Sequence, residues 1–178
     1  MALTNKPYDR VIEKFLLDNI EPNTRVIDVG CGTGWTALIL ANNKTNCSVD
    51  GVDINTLKIH RANTHFLKAK RDHIMHCHLC KAEELVQRFG ASKFEYVVTN
   101  HSVHHFGNPL KVFKQIKAIL KKGGKLLIGE LTPSYGEKID NCPRYSISKI
   151  RDFVEQSGLK LVHATVKQPG VILVVYQK

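Results

Sequence analysis

The sequence predicts an α/β fold, a doubly wound and mostly parallel sheet with helices on both faces. Three observations predict it. Helical and strand patterns alternate along nearly all of the 178 residues, as they do when crossover helices join parallel strands. Several strand segments, FEYVVTN among them, are near-continuous apolar runs, as burial on both faces requires. The first strand pattern also runs into a glycine-rich loop, DVGCGTG at residues 28–34. Open α/β sheets bind ligands beyond the carboxyl ends of their strands, where such loops lie.

The elements follow in order. Tyr8, Val11, Ile12, Phe15 and Leu16 recur at helical spacing, with Arg10, Glu13, Lys14 and Asp18 opposite, so a first helix is expected over about residues 6–20. RVIDVG is a short strand and TGWTALILA the helix after it. CSVDGVD is the second strand, followed by a helix near Asn55 to Ala69 that is rich in Lys, Arg and His. HIMHCHLC is the third strand and AEELVQRF a short helix closed by Gly90. FEYVVTN is the fourth strand. Asn108 is placed as an N-cap with Pro109 at the first helical position. Val112, Phe113, Ile116, Ile119 and Leu120 form that helix's apolar stripe, and Gly123 and Gly124 are expected to stop it. KLLIGEL is the fifth strand. Thr132 to Tyr145, with two prolines, a glycine and mixed polar residues, is expected to be a loop. A helix from about Ser148 to Gln156 turns Ile150, Phe153 and Val154 inward. LKLVHATV and GVILVVYQ end the chain, and Pro169-Gly170 makes the turn that pairs them antiparallel. With no repeat, low-complexity tract or linker, residues 1–178 are expected to form one domain.

Composition narrows the function classes. Hydrophobic residues are 43% and charged residues 24%, which fits a globular chain and excludes a disordered tail, a collagen-like fibre or a coiled coil. No apolar run approaches the roughly 18 to 20 residues needed to span a bilayer, and MALTNKPYDR has no apolar core of a signal peptide. The five cysteines, Cys31, Cys47, Cys77, Cys80 and Cys142, are expected as reduced thiols in the cytoplasm. The net charge of +10 favours an anionic partner such as nucleic acid, or else marks a solvated lysine-rich surface.

The glycine loop carries the first chemical signal. Glycines at 30, 32 and 34 let the backbone approach a ligand, and the following helix aims its free N–H groups at the same place. A dinucleotide fingerprint begun at Gly30 needs a small residue where Trp35 stands. Asp28 comes just before the loop. A carboxylate there would repel a pyrophosphate and suits a ligand bearing an ammonium group. It could instead hydrogen-bond the loop's own amides. Asp53 ends the second strand about 20 residues beyond the loop, where an acid can accept both hydroxyls of a ribose. The alternative is an N-cap bonding the amides near Leu57.

The string VIDVGCGTG with VDGVDIN after it resembles the seven-stranded, class I S-adenosylmethionine-dependent methyltransferases. CKAEEL, FEYVVTNHSVHHF and LKVFKQIKAILKKGGKLLIGE resemble later segments of that family in the right order, nearest to its ubiquinone and menaquinone branch. The resemblance implies a sheet order of 3-2-1-4-5-7-6 with the last strand antiparallel. It implies that Asp28 and the loop Gly30, Cys31, Gly32, Thr33 and Gly34 hold the methionine end of S-adenosylmethionine. It implies that Asp53 takes the ribose, Ile54 the adenine, and Ala82 and Glu83 the adenine edge. Asn100 and His101 would lie beside the methyl group and the acceptor. The implied activity is in-line methyl transfer to an O, N, S or C nucleophile of a small metabolite, leaving S-adenosylhomocysteine.

Other constellations are weighed against this. His101, His104 and His105 cluster where the acceptor should bind, and His101 and His104 are the candidate general bases. Cys77-His78-Leu79-Cys80 invites a metal, but alternation along a strand points the two cysteines to opposite faces, so no metal is expected. Lys58, Arg61, Lys68, Lys70 and Arg71 give one basic face, and Lys111, Lys114, Lys117 and Lys121 another. No aromatic residues interleave with them as a nucleic-acid stacking platform would require. The fourth-strand turn, Thr99-Asn100-His101-Ser102, lacks the prolines usual in enzymes that methylate nucleic-acid amino groups. The alternatives are an RNA or protein methyltransferase, or a non-catalytic module or partner subunit of the same fold. A brief insertion after the fifth strand implies a small lid, or one completed by a second subunit or a second copy.

Overall fold

A computed structural model describes residues 6–43 and 46–178. Residues 1–5, the head of the stretch read above for an export signal, lie outside the described residues. Seven strands form one sheet: β1 (Arg25–Val29), β2 (Ser48–Asp53), β3 (Met75–Leu79), β4 (Phe94–Asn100), β5 (Leu120–Leu131), β6 (Lys160–Lys167) and β7 (Val171–Gln177). Among the described residues seven α-helices flank it: α1 (Pro7–Asn19), α2 (Trp35–Asn43), α3 (Thr56–Lys68), α4 (Leu85–Phe89), α5 (Pro109–Ile119), α6 (Pro133–Asp140) and α7 (Ile147–Gln156). The order is β3-β2-β1-β4-β5-β7-β6. The first five strands run parallel, and β7 runs antiparallel to both neighbours. The expected order and the antiparallel last strand are both present.

Strand alternation sorts the core into two layers. Val26, Tyr96, Val98, Leu127 and Leu173 face a cluster with Ile12 and Leu16 of α1, Leu40 of α2 and Phe66 of α3. Their neighbours Ile27, Val97, Leu126, Ile128 and Val174 face Leu85, Phe113, Ile116, Ile150 and Val154 on the other side. Phe66 and Phe113 are wholly buried, and each contributes roughly 1.5 to 3 kcal/mol. Asn55 caps α3 by accepting from the Lys58 amide at 3.1 Å, and Asn108 caps α5 from Lys111 at 3.0 Å. Each cap adds about 1 kcal/mol.

Two expectations need correction. Thr132 to Tyr145 is not all loop, because α6 fills Pro133–Asp140. Pro133 sits in the first turn, where its missing N–H has no partner to lose. Gly136 is there for packing: a Cβ on it would lie 2.4 Å from Cδ of Arg144, which crosses the helix at that point. The second correction concerns α5, which ends at Ile119 and not at Gly123 and Gly124. Leu120 is already extended and pairs with Phe94, so it is buried as the start of β5. The two glycines lie in a bend of β5, where its register against β4 shifts. Lys121 therefore leaves the proposed helical lysine face and ion-pairs with Glu95.

β6 is an edge strand. Val162 and Val166 on it are exposed. Among the described residues, no helix is long and apolar enough to cross a membrane.

Candidate active site

The tips of β1, β2, β4 and β5 gather the polar residues that matter. β1 pairs with β2 on one side and β4 on the other, so strand order reverses between β1 and β4. The glycine loop leaves β1 at this point. The amides of Gly30 and Cys31 donate to the Val52 carbonyl at 2.8 and 2.9 Å, and Gly34 donates to Cys31 at 2.9 Å. Gly30 has φ +82, and a Cβ on it would meet Ser102 Oγ at 2.3 Å. Ser102 itself donates to the carbonyls of Gly30 and Asn100 at 3.1 and 2.9 Å. That hydroxyl ties the glycine loop to the fourth-strand turn, a role the sequence reading missed.

Asp28 lies buried at the base of the loop, 3% exposed, and its Oδ1 has no hydrogen-bond partner. Burial pushes its pKa up to about 7; the Thr36 hydroxyl opposes this and the charge of Asp53 adds to it. The amides of Gly30, Cys31 and Gly34 bond elsewhere, so Asp28 is not their acceptor. Asp53 accepts from the Gly32 amide at 3.0 Å and the Asn55 amide at 2.8 Å. Asn55, not Asp53, caps α3, so the capping alternative for Asp53 also falls. A carboxylate offers about four acceptor sites, and two remain on Asp53. Thr33 lies in the same loop, before α2.

Beyond Asp53, Ile54 is 74% exposed and Leu57 and Leu79 are exposed near it. The Cys80 amide donates to the Asp53 carbonyl at 3.2 Å, which holds the chain leading to Ala82 and Glu83 against the end of β2. Those two residues form a short 3-10 turn, Ala82–Glu84.

The tips of β4 and β5 are polar and buried. Asn100 ends β4; its Nδ2 donates to Thr36 Oγ1 at 3.1 Å, and its Oδ1 is buried without a partner. His101 takes φ +51, and among the described residues neither ring nitrogen has a hydrogen bond. Its ring stands edge-on to Tyr8 of α1 at 5.1 Å, and Tyr8 meets Tyr135 of α6 at 6.2 Å. His104, in the 3-10 turn Val103–His105, places Nδ1 2.7 Å from Glu130 Oε2.

Glu130 is wholly buried at the end of β5. Burial pushes its pKa up, but the His101 and His104 imidazoles and the Leu131 amide outweigh this and hold it at about 2. His101 Nδ1 is 3.8 Å from Oε1, and Arg144 Nε 3.4 Å. Because Glu130 is ionised, it accepts, and His104 carries its proton on Nδ1. Arg144 also makes two bonds of 2.7 Å to Asp140, which hold the Asp140 carboxyl well below the usual range. Neither Glu130 nor Arg144 was singled out from sequence. An acid inside the apolar run KLLIGEL was the available signal for the first; Arg144 had none.

The Cys77 to Cys80 motif disperses as expected. Cys77 Sγ lies 3.5 Å from Cys31 Sγ, and that sulfur together with burial pushes the Cys31 thiol up, so it stays protonated. Cys31 thus packs under the loop. His78 bonds Asp50 at 3.0 Å and Arg88 at 3.0 Å. A groove of about 570 Å3 between α1 and the last two strands, lined by Val11, Phe15, His163 and Leu173 among others, includes none of the strand-tip residues.

The sheet order, the glycine loop after β1 and the acids ending β1 and β2 define a class: the α/β domain of the class I S-adenosylmethionine-dependent methyltransferases. The chain belongs to the methyltransferase domain family, whose model matches residues 4–164. It is 25% identical over 158 residues to phosphoethanolamine N-methyltransferase 2 of Caenorhabditis elegans, covering 84% of this chain and 35% of that one. It is 31% identical to 27-O-demethylrifamycin SV methyltransferase of Amycolatopsis mediterranei, covering 62% of this chain and 40% of that one. It is 28% identical to ribosomal RNA large subunit methyltransferase G of Colwellia psychrerythraea, covering 81% and 38%. The chain thus spans well under half the length of these curated relatives. Among solved structures, the [4+2]-cyclase SpnF superposes with a TM-score of 0.82 at 15% identity, over 96% of this chain and 81% of that one. That likeness establishes the fold alone.

Proposed function

We propose that the chain transfers a methyl group from S-adenosylmethionine to a small metabolite. One observation carries the reading: among the described residues, Asp28 Oδ1, Asn100 Oδ1 and both nitrogens of His101 are buried without a hydrogen bond at adjoining strand tips. Buried polar atoms are rarely left unpaired, and these four fit a ligand that brings an ammonium group to β1 and an acceptor to β4. The cofactor fits the residues present. Asp28 would pair with its ammonium, and the backbone of Gly30, Cys31, Gly32, Thr33 and Gly34 would pass along its methionine part. Asp53 would accept both ribose hydroxyls, Ile54 would lie on the adenine, and Ala82 and Glu83 would border its edge.

When bound, the sulfonium cofactor supplies an electrophilic methyl group with its leaving group already in place. The chain's own work is proximity and orientation. Asn100 and His101 would border the acceptor, with Tyr8 and Tyr135 walling off water. His101, whose Nε2 has no partner and whose Nδ1 faces Glu130 at 3.8 Å, is the residue to take a proton from an acceptor that carries one at neutral pH. His104 is the weaker base candidate, since Glu130 holds its Nδ1–H. It keeps Glu130 ionised beside His101.

The small-metabolite class draws support from the phosphoethanolamine and rifamycin relatives. The motif likeness to the quinone branch is the basis for the finer assignment. The second reading, RNA methylation, is favoured by one observation: Lys58, Arg61, Lys68, Lys70 and Arg71 are all exposed on and after α3, and a ribosomal RNA methyltransferase is among the relatives. The reading further places the protein in the cytoplasm as one domain, its small lid completed by a second copy or a partner subunit.

Calorimetry with S-adenosylmethionine, S-adenosylhomocysteine and NAD tests the cofactor. Binding of the first two and not of NAD is expected, and the opposite pattern overturns the proposal. A titration with mixed cellular RNA at two salt concentrations tests the acceptor class. Non-specific binding, with dissociation constants of about 10⁻⁴ to 10⁻⁶ M at physiological salt, is expected. Submicromolar binding to one RNA, abolished by reversing Lys58, Arg61, Lys68 and Arg71, replaces the small metabolite with RNA.

A further inference from the structure

His104, His105 and Cys142 converge above the tips of β4 and β5. One nitrogen of each imidazole and the Cys142 sulfur all lie within 4.8 Å of one another. The geometry points to a three-ligand site for a divalent cation of borderline softness, zinc or cobalt(II), built from these side chains. It stands independently of the methyl-transfer reading.

The donor set selects the metal. Two imidazoles and a thiolate suit zinc and cobalt and disfavour magnesium and calcium, which take oxygen ligands. Zinc bonds of about 2.0 to 2.3 Å need the ligand atoms somewhat closer than 4.8 Å. His105 is exposed, so its ring can swing inward without disturbing the core. Three protein ligands leave a fourth position for water or an anionic ligand atom.

Two features beyond the convergence support the site. First, His104 Nδ1 is committed to the wholly buried Glu130 at 2.7 Å. A carboxylate behind a histidine fixes its orientation and leaves the other nitrogen to bind, the usual arrangement behind a metal-bound imidazole. Second, the backbone of Cys142 is clamped. Its amide donates to Asp140 Oδ1 at 3.1 Å, and its carbonyl accepts from Arg144 Nη1 at 2.9 Å. The backbone that carries the sulfur is thus held in place by the residues that anchor the segment after α6.

The local charge is mixed: two cations near His105 oppose a bound cation, and two carboxylates near His104 favour one. Arg144 and Lys58 face His105 as cations, while Glu130 and Asp140 face His104 as carboxylates. Arg144 is already paired with both acids. Binding would release the Cys142 proton, and the thiolate would add the further negative charge a divalent cation needs. Sequence spacing could not show this site, because Cys142 reaches the two histidines only through the fold of α6. A bound ion would tie the segment after α6 to the turn after β4.

The test is a titration of the full chain with cobalt(II) under a non-thiol reductant. One equivalent should produce a sulfur-to-cobalt charge-transfer band, bleached by zinc. Cys142→Ser should abolish the band and His105→Asn should weaken binding at least tenfold. Cys80→Ser, which changes the other half-exposed thiol, should leave it intact. His105 is a surface residue, so that variant keeps the test valid if Cys142→Ser misfolds. Absence of the band in the unaltered protein, its survival in Cys142→Ser, unchanged affinity in His105→Asn or its loss in Cys80→Ser overturns the site.

Discussion

Asp28 and Glu130 are both buried carboxylates at strand tips two strands apart, and they are opposites. Glu130 faces two imidazoles, a guanidinium and a backbone amide, and its pKa is held at about 2. Asp28 has one oxygen without a partner and a pKa raised to about 7. The difference separates a charge that belongs to the fold from one that awaits a ligand. Burial alone raises both; only partners decide the outcome.

The largest expected effect breaks the Glu130 side. Glu130→Gln leaves Arg144 and His104 buried against a neutral group. Urea unfolding at pH 7 should then show a loss of roughly 3 to 5 kcal/mol. A loss below about 1 kcal/mol, the net value of an ordinary hydrogen bond, would mean that the charge is not structural.

Opposite pH slopes sharpen the contrast. The Asp28 pKa is raised from 3.8 to about 7, so the folded state holds the proton more tightly. Its contribution is fully present below 3.8 and is lost as pH rises through about 7, on the order of 4 kcal/mol in total. Glu130 is lowered from 4.5 to about 2, so its contribution is present above 4.5 and is lost as pH falls through about 2. Unfolding free energies measured from pH 5 to 8 should fall toward neutrality in the unaltered chain and lose that fall in Asp28→Asn. An identical slope in both proteins would contradict the assignment.

On the ligand side, Asp28→Asn should leave the unliganded fold at least as stable at pH 7. It should weaken S-adenosylmethionine by about 30-fold, near 2 kcal/mol, the lower range for losing one half of a buried charge pair. Calorimetry gives both the affinity and the protons released. The smallest effect is expected at Asp53. Asp53→Ala removes charge-assisted bonds of about 1.5 to 3 kcal/mol each. The Gly32 and Asn55 amides then turn to water and offset part of this, so a tenfold weakening is expected. Unchanged affinity would assign Asp53 to the loop alone.

What the sequence revealed follows from range. Asp28, the glycines and Asp53 lie within one β-α-β stretch, and local patterning reports them. The strand order came with the family likeness, since pairing of β1 with β4 joins residues that no short motif connects. Glu130 was visible only as a strand acid, because its partners come from the turn after β4 and the segment after α6. Arg144 was invisible for the same reason: Gly136, which looks like a loop residue, is the gap through which it reaches Glu130. Lys121 shows the converse error, where regular spacing continued a helix past its true end.

The exposed edge of the sheet gives the basic charge a further meaning. β6 is long and carries Val162 and Val166 on its surface, the makings of an aggregation template. Lys160 and Lys167 stand at its two ends. Two copies approaching edge to edge would bring four like charges together at the moment their backbones could pair. On this account part of the +10 charge acts as a gatekeeper that opposes edge-to-edge pairing of two copies. Replacing both lysines with threonine, a good strand former, would remove that protection while leaving every residue of the cleft in place.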